Sequence, residues 1–444
     1  MSFSASRYLD SLDMFSIRLG LDNTRELMRR AGNPDRELEF FHIAGTNGKG
    51  STGAMLECAL RSAGLKTGFY TSPHLFDVRE RFRVNGIAAP EETFNACACE
   101  LAAAAGDLKT SYFEFATVLA MLIFVRAGVD AVVWETGLGG RLDATNAVTP
   151  AASIITNIAL DHTSRLGSTL AAIAGEKAGI IKPGIPLFCG ELPQEAEAVI
   201  LERARQVGAP IVPPGEAPDE NSVKIVDLPQ AIVQLFRCRG REITLPLPGA
   251  MQRRNFRIVA DLIDWFAPRR RFDADAAYAG LAAVRWPGRC QKIAPGLIVD
   301  GGHNPDGARA LVEALRECRP GTKFTVVYGA FADKEAKSCL EALARIAARF
   351  RFVPPPLPGR EAHSAAELLA VASALGIPAQ ADVNAVSAVE DALAAADSPV
   401  LVAGSLSIAG AVLEHFSPPE SVLNLVLHDR ARPDFDLIFA RIVL

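Results

Sequence analysis

Lys49 stands inside HIAGTNGKGST, residues 42–52, a run that brings Gly45, Gly48, Gly50, an ammonium and two hydroxyls into one short loop. An apolar strand leads in and a helix leads out, which is the context a phosphate cradle needs. Backbone N–H groups of Thr46, Asn47, Gly48 and their neighbours would point at an anion, and the helix dipole would favour it. Lys49 could then reach terminal phosphates as a point charge, and Ser51 or Thr52 could place a hydroxyl on Mg²⁺. The strict spacing G-x-x-x-x-G-K-[ST] is not met, because Ile43 stands five before Gly48 and Gly50 separates Lys49 from Ser51. The plain alternative is a glycine-rich turn that binds nothing.

Three further clusters carry reactive groups. In VVWETGLGGRLDATN, residues 132–146, Glu135 follows an apolar run and would stand at the carboxyl edge of a sheet, where a hard oxygen ligand for Mg²⁺ belongs. Its alternative is a solvated strand-end carboxylate, and for Asp143 a turn or cap. In residues 156–184, Asp161 and His162 end a strand and Lys177 lies on the next helix. Asp161 is expected to face a substrate and His162 to ligate a metal. The alternatives are a structural histidine and an exposed Lys177 paired with Glu176. In DGGHNP, residues 300–305, Asp300 and His303 flank a glycine turn whose ordinary reading is a capped loop. Four such polar loops after strands point to one site between two domains.

The elements that must carry these loops alternate β and α. Strands are expected at 40–43, 130–134 and 153–158, with helices over 51–63 and 169–181. A second βαβ rhythm follows WPGR at 286–289. It has a strand at 296–299, a helix over 308–317, a strand at 323–328, a helix over 333–349 and a late strand at 399–403. The pattern predicts an α/β fold of two domains. The first, residues 1–288, would be ATPase-like with a mainly parallel sheet. The second, 296–444, would be smaller and Rossmann-like, and 289–295 would link them. The length of 444 residues agrees, being too great for one ordinary core.

A net charge of −5 argues against a nucleic-acid binder. No apolar run reaches the roughly 18–20 residues that would span a bilayer. The opening residues read as an amphipathic helix and not a signal peptide, and the eight cysteines form no CxxC pair. A cytoplasmic protein with reduced thiols is expected.

In this order, HIAGTNGKGST, YTSPHLFDVRERFRVNG, SYFEFATVLAMLIF, VVWETGLGGRLDATNAV, LDHTSRLGSTLAAIAGEKAGIIKPG, PGAMQRRN, WPGR and DGGHNP resemble the dihydrofolate synthase/folylpolyglutamate synthase family of the Mur-ligase superfamily. The resemblance runs from about residue 10 to about 415. It implies an ATP-dependent ligase joining L-glutamate to dihydropteroate, to reduced folates, or to both. It also implies ATP and Mg²⁺ at two sites, with Ser51, Glu135 and His162 as metal ligands, a carbamylated Lys177, and room for a monovalent cation. Gln252, Asn255 and Arg289 would hold the nucleotide, with Asp300 and His303 completing that side. Ser72, Pro73, His74 and Arg83 would lie near the pterin-bearing substrate, and a monomer is implied. Phe256 departs from the family's small residue and would reshape the adenine pocket. The tail 417–444 has no counterpart, and its apolar runs, VLNLVL and FDLIFARIVL, are expected to be packed, adding a strand to the second domain or to a partner chain. A polyglutamylase alone, a cell-wall amino-acid ligase and an inactive nucleotide-binding scaffold are the competing readings.

Overall fold

The computed structural model describes residues 3–12, 20–357 and 359–426. The first sheet is built from β1 (Phe40–Ala44), β2 (Thr67–Tyr70), β3 (Phe82–Val84), β4 (Ile87–Ala88), β5 (Ala131–Glu135), β6 (Ala152–Ile155) and β7 (Leu187–Cys189). Their order is β4-β3-β2-β5-β1-β6-β7. The pairs from β2 through β7 are parallel, and the β2–β3 and β3–β4 pairs are antiparallel. The central strands are apolar without alternation because helices cover both faces. On one face Phe40, Tyr70 and Trp134 pack beneath helices Glu91–Ala105 and Tyr112–Ala127. On the other, Phe41, Ile43, Phe69 and Val133 pack beneath Lys49–Ser62 and Ala250–Arg270. Helix Tyr112–Ala127 is started by a reciprocal Ser111–Glu114 capping box and stopped by Gly128 in the left-handed region.

A small antiparallel sheet follows, with β8 (Asp219–Leu228), β9 (Ala231–Cys238) and β10 (Arg241–Leu245) in the order β10-β9-β8. Phe236 of β9 lies in the core of the first sheet, while Ile232 of the same strand lies in that of the second. Arg253 reinforces this bridge by pairing with both Glu220 and Glu317.

The second sheet holds β11 (Gln291–Ala294), β12 (Leu297–Val299), β13 (Phe324–Tyr328), β14 (Ala347–Phe352), β15 (Ala379–Ala381) and β16 (Val400–Ala403). Its order is β11-β12-β16-β13-β14-β15, parallel except for the β11–β12 pair. The architecture is mixed α/β with two large, mainly parallel sheets, as the sequence pattern predicts.

Several expectations are corrected. The helix over 333–349 is only Ala336–Leu343, because Ala347–Phe352 forms β14 with Phe350 and Phe352 in the core. β11 falls within the span read as a linker, so the chain joins the second sheet almost at once after Arg289. The small antiparallel sheet is absent from the sequence reading. Of the tail, residues 417–426 are described: a turn of helix at Glu420–Leu423 leads to a bridge between Asn424 and Ile87. The expected strand within 427–444 lies outside the described residues. Among the described residues no helix is long and apolar enough to cross a membrane.

Candidate active site

The carboxyl ends of both large sheets face one cleft of about 1220 Å³, the place where open α/β sheets bind ligands. Its wall takes Gly45–Ser51 from β1, Ser72–Leu75 from β2, Glu135 from β5, Asp161 and His162 from β6, and Lys177. Gln252, Asn255 and Arg289 line it further, and Asp300 and His303 enter from β12 of the second sheet. Of the candidate site residues singled out in sequence, all but Thr52 and Asp143 thus meet, from Gly45 to His303, in one cavity.

The phosphate loop is held from several sides. Thr46 N–H donates to Asn157 O at 2.9 Å, and Asn47 N–H donates to Asn157 Oδ1 at 2.7 Å. Gly48 caps the helix at φ 83°, and a Cβ there would meet Asn255 Oδ1 at 2.7 Å, so both backbone and neighbour demand glycine. Two ammoniums converge on the same carbonyl: Lys49 Nζ donates to Gly45 O at 3.1 Å and Lys177 Nζ at 2.9 Å. Lys177 is buried, contrary to the exposed alternative, and Glu176 pairs with Arg141 instead. Burial, helped by the charge of Lys49, pushes the Lys177 amine down to about 7.

Glu135 is buried, and Thr71 Oγ1 donates to its Oε2. Burial raises its pKa, with Lys49, the Thr71 hydrogen bond and Arg289 pulling the other way. Thr52 Oγ1 is buried and has no partner. Gln252 Nε2 donates to Ser51 Oγ at 3.4 Å, and Asn255 Nδ2 to Gln252 Oε1 at 3.1 Å. His162 adopts φ 50°, and burial together with Lys334 lowers its pKa to about 4, leaving a neutral ring. Glu135 and the hydroxyls of Ser51 and Thr52 are oxygen donors of the kind Mg²⁺ takes, while the His162 ring lies with Asp161 and His303, the three offering ligand atoms within 4.8 Å of one another.

Asp161 is committed differently from the expectation that it faces a substrate. Lys334 Nζ lies 2.6 Å from its Oδ1, and Asn304 Nδ2 donates to Oδ2 at 2.9 Å. Burial alone would raise its pKa, but His303 and Lys334 hold it well below the usual carboxylate range. Asn304 also donates to Asn47 Oδ1 at 3.0 Å, and Asn47 Nδ2 to Asp306 Oδ2 at 2.8 Å. The phosphate loop is therefore stitched to the helix Pro305–Cys318. Lys334, Asn304 and Asp306 were missed in sequence. The available signal was Lys334's place just after β13, hidden by reading that stretch as the start of a long helix.

Asp300 accepts from Gly302 N at 2.6 Å and Cys290 N at 2.8 Å, so it fixes the glycine turn and the residue after Arg289 together. In the loop after β2, Glu80 accepts from the amides of Leu75, Phe76 and Asp77 at 2.8–2.9 Å. Arg81 Nε donates to His74 Nδ1 at 2.9 Å. Burial and then Arg81 lower His74 to about 3, so its ring is neutral. Arg83 sends Nη1 to Leu423 O at 2.9 Å and Nη2 to Val422 O at 2.8 Å. Arg83 thus lines the cleft, as expected near the substrate loop, while its guanidinium is bonded to the chain's own carbonyls. Phe256 is a core residue against Phe236 and Tyr278, correcting its place in an adenine pocket.

The glutamate ligase domain of Mur ligases matches residues 288–406. The dihydrofolate synthase/folylpolyglutamate synthase of Bacillus subtilis is 35% identical over 352 residues, covering 76% of this chain and 81% of that one. A probable bifunctional folylpolyglutamate synthase/dihydropteroate synthase of Haloferax volcanii is 36% identical over 420 residues, 91% of this chain. The chain spans only about half, 49%, of that archaeal relative. Among solved structures, E. coli FolC in complex with DHPP and ADP superposes with a TM-score of 0.78 at 31% identity, covering 93% of this chain and 97% of that one.

Proposed function

The chain belongs to the dihydrofolate synthase/folylpolyglutamate synthase family of ATP-dependent glutamate ligases, and from that premise we propose that it joins L-glutamate to dihydropteroate and to reduced folates through an acyl phosphate. The observation that carries the reading is the single cleft in which the phosphate loop, Glu135, His162 and Lys177 face the 72–75 loop and the second sheet.

ATP would lie with its phosphates on the amides of Gly48–Ser51 and on Lys49, since Thr46 and Asn47 donate theirs to Asn157, with its base side bounded by Gln252 and Asn255 and Arg289 over the phosphates. The pterin acid would lie along Ser72, Pro73 and His74, presenting its carboxylate to the γ-phosphoryl group. The carboxylate oxygen attacks phosphorus and ADP leaves. The amine of glutamate then attacks the acyl carbon, loses a proton, and phosphate leaves. Lys49 and the loop amides stabilise charge on the transferring group. The contacts of Asn47 and Asp161 with the second sheet close the cleft and keep water from the acyl phosphate.

Mg²⁺, held by Ser51, Glu135 and His162, would supply Lewis-acid neutralisation of the phosphates. Lys177, with its amine pushed down to about 7, is suited to take up CO₂ as a carbamate. That would replace a cation by an anion beside Lys49. We further propose that 1–288 and 296–444 are the two domains, that 289–295, which contains β11, is the linker between them, and that the enzyme works as a cytoplasmic monomer.

Phosphate release from ATP and glutamate, with dihydropteroate, with tetrahydrofolate or with no acceptor, tests the reading. Release with both acceptors supports it. Release with tetrahydrofolate alone narrows it to chain extension, and release with neither overturns it.

A further inference from the structure

The loop assigned above to the pterin acid is gripped by the far end of the chain. It joins β2 to β3, and Arg83 of β3 stands opposite Phe69 of β2 at its base. Helix Leu406–Phe416 crosses the tip of the loop so closely that a Cβ at Gly410 would sit 2.4 Å from Leu75 O. That obstacle is backbone and cannot rotate away. The chain then leaves the helix, and Val422 and Leu425 become buried. Leu425 N–H donates to Gly86 O at 2.9 Å, beside the Asn424–Ile87 bridge. Arg83, only 2% exposed, spends two N–H groups on the carbonyls of Val422 and Leu423.

We infer that helix Leu406–Phe416 and residues 417–426 after it form a strap that positions the substrate loop, with Arg83 as its anchor and Gly410 as its bearing point. A buried guanidinium is a costly way to fasten residues 422–423 to an edge hairpin, where apolar contacts would serve. It gains a directional, two-point hold at the base of the loop. The tip is held by Gly410, and between these points the amides of Leu75, Phe76 and Asp77 are fixed on Glu80. The loop has no freedom to shift without one of the three holds giving way. Arg83 and Gly410 are positioning residues: neither needs to touch the acceptor to set where it binds.

The inference rests on the proposed function for the identity of the acceptor. Its test therefore pairs kinetics with a measurement that needs no substrate. In the full chain, Arg83→Met and Gly410→Ala are expected to raise KM for the pterin acid roughly tenfold or more, with KM for ATP and kcat changed by less than about twofold. Arg83→Lys should recover part of the loss. Amide hydrogen exchange at Leu75, Phe76 and Asp77 should quicken in both variants. If Arg83→Met fails to fold, Gly410→Ala carries the test. Unchanged acceptor KM and unchanged exchange in a folded variant would overturn the strap, as would equal rises in both KM values with a fall in Tm. A wild-type chain with no acceptor-dependent phosphate release would overturn the function, while the exchange data would still decide the strap.

Discussion

The two large sheets meet at one cleft, but they are built on different terms. Behind the phosphate loop, the first sheet's half buries Glu57, Arg83, Glu114, Glu135, Asp143 and Lys177. The second half buries few charges, and of these Asp300 and Lys334 sit at the cleft. Its interior is otherwise the apolar layers around Leu311, Phe350 and Leu401, and around Val389 and Val412. The first half carries buried charge at the cleft in Arg83, Glu135 and Lys177 and elsewhere holds it in pairs and caps, Glu57 with Arg61 and Glu114 with Ser111, while the second brings a few groups to the rim. Desolvating a charge costs stability, so catalysis and stability should respond oppositely at the cleft charges of the first half and together in the second.

The largest effect that would break this contrast lies at Lys49. Lys49→Ala should lower kcat by ~10²–10³-fold, read as acceptor-dependent phosphate release, with little loss of Tm. Lys177→Met sharpens the same point: activity should fall while Tm rises by about a few degrees, because a desolvated amine is removed. A drop in Tm for that variant would refute the idea of stored cost. At the rim, Lys334→Ala removes the ammonium that pairs with Asp161, which keeps Asn304 and His303, and should weaken docking of the halves by about 1.5–3 kcal/mol. A double-mutant cycle with Asp161→Asn, read by small-angle scattering and kcat, would show whether the coupling is real.

Acid sensitivity should be concentrated in the first half. Burial holds His42 and His74 near 3 in the folded chain, below the usual histidine value of about 6.5. The unfolded chain binds more protons between these limits. Stability is therefore full above about pH 6.5 and falls by up to about 1.4 kcal/mol per unit and per histidine as pH drops toward 3. His42→Gln should flatten that slope in urea titrations at several pH values. The smallest effect is local: Ser364 caps helix Ala365–Ala374 with Glu367 in a reciprocal box, and Ser364→Ala should cost about 1 kcal/mol with kcat unchanged.

That the cradle, Glu135 and DGGHNP line one cleft was legible because each pairs an apolar strand with glycine and polar residues next to it in sequence, and for His162 because it follows a strand. What escaped depends on distant chain. Lys334 gains its meaning from Asp161, 173 positions away. A lysine beside a glutamate on a helix reads as exposed, yet helical register turns Lys177 inward onto Gly45. The alanine-rich stretch before β14 favours helix by local propensity, and burial of Phe350 and Phe352 in the sheet overrides it. β8 is largely exposed, so it lacks the apolar alternation that would mark a strand.

The small antiparallel sheet has a consequence for how the molecule comes apart. Because β9 places Phe236 in one core and Ile232 in the other, neither half melts without opening a cavity in its neighbour. Heating should give one calorimetric transition with matching van't Hoff and calorimetric enthalpies. Ile232→Ala should split that peak into two, uncoupling halves that the intact chain unfolds as a single cooperative unit.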